Sequence, residues 1–141
     1  MCRVRTGRWS RRLAGDDGIV HCDPEVGADL SRALTELYAA FNVRDFDSLL
    51  RAMAPDVVWP NGWEGGVVRG REEVRTYWTR QWAEIDPTVE PVDFRREQDG
   101  RVAVTVRQVV RDLAGTVIAE GHVKHVYRFA DGLVQDMEIR S

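Results

Sequence analysis

Few residues in this chain combine a reactive side chain with an apolar setting, and His125 is the clearest of them. It stands in Val123–Phe129, where apolar and polar residues alternate. An imidazole held among apolar neighbours can be tuned towards neutral pH for proton transfer. Asp136 is a second catalytic candidate, as an orienting group or base for that imidazole. Tyr77 and Tyr127 could donate to a developing oxyanion. Tyr38, Trp59, Trp63 and Trp78 offer flat apolar area for a ligand, and Asn61 and Gln108 offer amides to orient one. The tyrosines and tryptophans serve equally well as packing, and His125 equally well as a satisfied core residue.

Other chemistries find little support. His122 and His125 sit three apart in a strand-like run, which sends them to opposite faces, so no metal site is expected. No nucleophilic triad can be read, since Cys2 and Cys22 both lie in the arm and Ser10, Ser31, Ser48 and Ser141 sit beside no evident base. Gly65-Gly66 lacks the following lysine of a phosphate loop. No cofactor is expected.

The elements that must position these residues change period part-way along. Asp23-Pro24 reads as a helix start, followed by Leu30, Ala33, Leu34, Leu37, Tyr38 and Phe41 on one face to about Asn42. Asp45 caps a second short helix carrying Leu49, Leu50 and Met53, stopped by Pro55. Val57–Pro60 is a short strand, residues 61–66 a glycine-rich loop, and Gly70 to about Ala83 a third helix with Val74, Tyr77, Trp78 and Trp82. Pro87 closes the connection. Four runs of period two follow, about Val89–Glu97, Arg101–Leu113, Thr116–Phe129 and Leu133–Arg140. Asp99-Gly100, Gly115 and Asp131-Gly132 are the hairpin turns between them. Helices segregated on one face of an antiparallel meander give the α+β class.

Alternation in the third long run puts Val117, Ala119, Gly121, Val123, His125, Tyr127 and Phe129 on the inward face, with Ile118 and Val126 outward among charges. Gln108 is the polar member of the inward face of the strand before. The last hairpin admits two registers. A two-residue Asp131-Gly132 loop would pair Tyr127 with Asp136 and turn Asp136 and Glu138 inward. A three-residue loop from Ala130 would turn Leu133, Gln135, Met137 and Ile139 inward, and burial favours it because two carboxylates in a core are costly.

Several segments resemble the SnoaL-like branch of the NTF2-like superfamily, which includes ketosteroid isomerases. They are Leu37–Asn42, Asp45-Phe46-Asp47, Leu50–Trp59, Gly70–Val74 with Tyr77-Trp78, and His125–Phe129 with Asp131-Gly132. The resemblance covers roughly residues 28–140. It implies an NTF2-like (cystatin-like) cone, with three N-terminal helices packed in a curved antiparallel sheet around one apolar pocket. It says little of function, since the family hosts isomerases, dehydratases, cyclases, hydrolases and pure binding proteins. Aligned without gaps, the general-base aspartate of ketosteroid isomerases falls at Asn61, which takes no proton at neutral pH, and their oxyanion tyrosine falls at Leu37, one residue before Tyr38. That argues against steroid isomerisation by that mechanism.

Charge and composition bound the rest. Residues 1–22 hold five arginines against two aspartates, a balance of +3, leaving −6 on the remainder of a chain whose total is −3. The arm reads as a disordered basic extension and residues 23–141 as the domain. An acidic body argues against nucleic acid as the main partner, and no run of 18 apolar residues exists to span a membrane. Two cysteines confined to the arm fit a reducing cytoplasm. The expected function is a cofactor-independent proton-transfer enzyme, an isomerase, dehydratase or cyclase, acting on a small hydrophobic molecule. The competing expectation is a non-catalytic binding or assembly module. A homodimer through the sheet is compatible with either.

Overall fold

The computed structural model describes residues 2–5, 19–62 and 64–140. The elements run β1 (Cys2–Arg5), β2 (Ile19–Cys22), a 3-10 turn (Pro24–Val26), α1 (Ala28–Asn42), α2 (Phe46–Arg51), β3 (Met53–Pro60), β4 (Val67–Arg69), α3 (Gly70–Trp82), β5 (Ile85–Arg96), β6 (Val102–Asp112), β7 (Val117–Ala130) and β8 (Leu133–Arg140).

The local signals mostly act where expected. The Asp23 carboxylate accepts from Glu25 N–H at 3.0 Å, but it caps the 3-10 turn, and α1 begins only after Gly27 at φ 86°. Asp45 caps α2, accepting from Ser48 N–H at 3.2 Å and from the Ser48 hydroxyl at 2.7 Å. Leu34, Leu37 and Tyr38 on α1 and Val74, Tyr77 and Trp78 on α3 are buried against the sheet. Each such side chain contributes about 1.5–3 kcal/mol by leaving water. Pro55 and Pro87 were read as breakers, yet both lie inside strands, β3 and β5. Strand β4 emerges from the glycine-rich stretch, where the sequence pattern showed only loop.

The strands form one sheet in the order β1-β2-β5-β6-β7-β8-β3-β4. The expectation of an antiparallel sheet needs correction, because β3 runs parallel to β8 and β2 parallel to β5. No hairpin joins either pair, so no tight turn imposes an antiparallel sense. The expectation of disorder covered residues 1–22, yet the arm contributes β1 and β2 to the sheet, while residues 6–18 lie outside the described residues. Cys22 is disulfide-bonded and stands opposite Cys2 across the β1–β2 ladder. A disulfide is characteristic of oxidising compartments, which counts against the reducing cytoplasm expected from the same cysteines. Among the described residues no helix is long and apolar enough to cross a membrane.

Two bulges decide which side chains face inward. In the β6–β7 ladder Ala119 pairs with Val110 but Val117 pairs with Arg111, so Ile118 is extra. Val117, expected inward, therefore shares the outward face with Arg111. In the last hairpin Ala130 pairs with Leu133, and Asp131 and Gly132 both take left-handed φ, 54° and 79°. This is the two-residue loop. The ladder then shifts, pairing Phe129 with Val134 but Arg128 with Asp136, so Gln135 is extra and Met137 faces Tyr127. The turn comes from one anticipated register and the inward Met137 from the other.

Candidate functional site

The inward faces of α1 and β7 meet at three polar side chains. Tyr38 projects from α1, and His125 and Tyr127, two residues apart on β7, share its inward face. The Tyr127 hydroxyl donates to the Tyr38 hydroxyl at 2.7 Å. The Tyr38 oxygen lies 2.9 Å from His125 Nδ1. The Tyr38 oxygen can give its proton to Nδ1 or accept one from an Nδ1–H, so the bond is compatible with either neutral tautomer of the imidazole. No bond from Nε2 to another described residue completes the set, and the ring lines a cavity.

All three groups are buried, and none has an opposite charge beside it. Burial pulls the His125 pKa down to about 4. Burial, and after it the neighbouring Tyr127, raises that of Tyr38, and burial raises that of Tyr127 well above the ordinary phenol value. Desolvation disfavours the charged form of each, so the relay is neutral at pH 7. This corrects the expectation of an imidazole tuned towards neutrality, which would need a partner charge to offset the burial.

The cavity has a volume of about 100 Å³. Its walls include Leu37, Phe41, Trp59, Trp78, Val89 and Met137, and Tyr77, Gln108, Pro87 and Ile139 also line it. Phe41, Trp78 and Trp82 pack as an aromatic wall, with the Trp78 and Trp82 rings stacked 5.6 Å apart. Asn42 ties the end of α1 to this wall, donating to Val89 C=O at 2.7 Å and accepting from Val89 N–H at 2.9 Å. Ile139 remains 43% exposed although it lines the cavity, which marks the mouth. The Gln108 amide makes no hydrogen bond with the described residues.

Of the residues singled out in the sequence, the fold brings Tyr38, Trp59, Tyr77, Trp78, Gln108, His125 and Tyr127 to this one cavity. It does not bring Asp136, whose carboxylate accepts from Arg128 Nε at 3.2 Å on the outward face. The bulge at Gln135 turns it out, and the earlier placement near His125 is withdrawn. Asn61 is also absent from the lining. Its side chain accepts from Glu64 N–H at 2.8 Å and donates to the Glu64 carboxylate at 3.2 Å, folding the turn on itself. Tyr77 reaches the cavity edge, but its oxygen accepts from Gly62 N–H and Gln81 Nε2, both at 3.2 Å, pinning the loop after β3. Trp63 lies outside the described residues. Sequence reasoning did not single out Leu37, Phe41 and Val89 as site residues, because on a helix face or strand they look like any core residue. The tie between Tyr38 and His125 left no mark of its own.

A SnoaL-like domain model matches residues 34–137. The chain belongs to the SnoaL-like domain family. Among solved structures, this SnoaL-like chain resembles an NTF2-like protein of unknown function from Burkholderia pseudomallei, at 27% identity, a TM-score of 0.69, and coverage of 79% of this chain and 89% of that one. It also resembles TerC, co-crystallised with polyporic acid, at 28% identity, a TM-score of 0.67, and coverage of 77% and 88%. A Mycobacterium tuberculosis protein in complex with estradiol-17β-hemisuccinate shares the fold at 20% identity, a TM-score of 0.67, and coverage of 79% and 92%. No curated protein matches the sequence. The SnoaL-like chain thus has the NTF2-like fold, with three α-helices and a mixed sheet among its described residues.

Proposed function

We propose that the cavity binds a small, uncharged cyclic molecule through a ring oxygen substituent and acts on it without a cofactor, by proton-transfer chemistry of the isomerase, dehydratase or cyclase kind. The observation that carries this reading is the buried chain from Tyr127 through Tyr38 to His125 at the cavity wall; in the tautomer in which Tyr38 donates to Nδ1, the imidazole presents Nε2–H to the cavity. A neutral imidazole in an apolar site is a preorganised donor to a carbonyl oxygen whose charge grows as solvent water entering at the mouth takes the proton from the adjacent carbon. His125 is then an electrophilic donor, and its proton is not lost to the substrate in the resting state. Gln108 would orient the ligand, and Trp59, Trp78 and Tyr127 would form its walls. Similarity to TerC, co-crystallised with polyporic acid, supports a small-molecule ligand. Among the described residues the lining holds no Asp or Glu, and that favours a second reading, a binding module of the same fold.

Deuterium exchange separates the two. Cyclohexanone in D2O, followed by proton NMR, should lose its α-protons faster with wild-type protein, and His125→Gln should abolish the gain. Binding without accelerated exchange would leave the module reading in place of the enzyme.

A homodimer is also proposed, through the tip of the β6–β7 hairpin, where Leu113, Val117 and Ile118 are 64%, 46% and 56% exposed. Val126 contributes nothing to it, being fully buried within the chain. Sedimentation of wild type against Ile118→Glu tests the proposal.

A further inference from the structure

The cavity holds about 100 Å³, less than the roughly 150 Å³ of a cavity that takes benzene, so even a single ring must reach into the mouth and any group it carries must extend beyond it. The inward face of the sheet continues there. Gln108 lines the cavity and pairs with Gly121, and the next rung pairs Val110 with both Pro87 and Ala119. Gly121 and Ala119 are exposed, while Pro87 and Val110 form an apolar bed beside them. Gly121 is not needed for its backbone. Its φ is not left-handed, and a Cβ built there would meet nothing within 4 Å. Glycine inside a strand costs stability and often marks the close approach of a ligand.

We propose that Gly121, Ala119, Val110 and Pro87 form a subsite for an uncharged alkyl tail carried by the ring that occupies the cavity. The inference rests on the cavity reading above. Continuity identifies the occupant, because Gln108 and Pro87 border both the cavity and the trough. No charged side chain lies among the four residues, so the tail is apolar. Gly121 supplies the clearance by which the tail leaves the mouth.

A series of 4-alkylcyclohexanones, from methyl to hexyl, tests this against wild type, Gly121→Leu and Ala119→Asp by quenching of tryptophan fluorescence. In wild type each added methylene should tighten binding about two- to fourfold, the range for partial to full burial of a methylene. Gly121→Leu should hold 4-methylcyclohexanone as wild type does and lose the gain from longer tails. Ala119→Asp, at an exposed position that tolerates substitution, should lose the same gain, so a folding defect at Gly121 cannot mask the result. A tail gain that survives both substitutions overturns the subsite and leaves the cavity reading standing. Failure of every ketone to bind wild type overturns the cavity reading itself. A dimer that Ala119→Asp dissociates in sedimentation, with no tail gain in wild type, would assign the trough to a second copy of the chain.

Discussion

Tyr38 and His125 lie 87 residues apart in the chain, yet the Tyr38 hydroxyl and His125 Nδ1 are 2.9 Å apart. That bond decides which end of the imidazole faces the cavity. Nδ1 is engaged by Tyr38, so Nε2 is the nitrogen a ligand meets, and the tautomer in which Tyr38 donates puts a proton on it.

Removing the middle of the relay should cost more than removing its end. Tyr38→Phe leaves both the Tyr127 hydroxyl and Nδ1 buried without their partner, at about 1–3 kcal/mol for each group. Tyr127→Phe removes one donor and leaves the bond to Nδ1 intact, for a loss of about 1 kcal/mol. Urea denaturation of the two variants at pH 7 compares them. Equal losses would mean that the hydroxyl chain does not run as described.

Stability should depend on pH through His125. The unfolded imidazole titrates near 6.5 and the folded one at about 4, so between these values the unfolded chain binds more protons. The His125 contribution is therefore fully present above about pH 6.5 and is lost as pH falls towards 4, to an extent of about 3 kcal/mol. Wild type and His125→Gln, unfolded in urea at pH 7 and at pH 4.5, should differ in slope by most of that amount. Parallel pH dependences in the two proteins would contradict the burial of a neutral imidazole.

Asp136 should prove dispensable. Its pair with Arg128 is outward, with side chains 34% and 52% exposed, so Asp136→Asn should change stability by less than about 1 kcal/mol and leave ketone affinity unchanged. A tenfold loss of affinity would restore the register that places this carboxylate in the cavity.

Periodicity made much of this fold legible, and irregularity concealed the rest. The α1 face, the Asp45 cap and the inward run from Val123 to Phe129 follow from spacings of 3.6 and 2, which one sequence displays openly. A bulge adds a residue without any compositional mark, and a single bulge reverses every assignment beyond it. That is why Val117 was read on the wrong face and why neither simple register of the last hairpin held. The pairing of β3 with β8 is a long-range choice that no local signal encodes. At the site, alternation was enough to set His125 and Tyr127 on one face, but Tyr38 lies on a helix whose rotation relative to β7 is fixed only by packing. Asn61 was assigned to the cavity because it aligns with the general-base position of the family resembled, and its own turn with Glu64 takes it elsewhere.

The most direct test of the account is two-bond proton–nitrogen NMR of imidazole-labelled protein, titrated from pH 4 to pH 8 with and without cyclohexanone. The account predicts a His125 signal with the Nε2–H pattern throughout the neutral range, an apparent pKa near 4, and a shift of Nε2 on addition of the ketone. A His125 titrating at 6 to 7, or carrying its proton on Nδ1 and indifferent to the ketone, would contradict it.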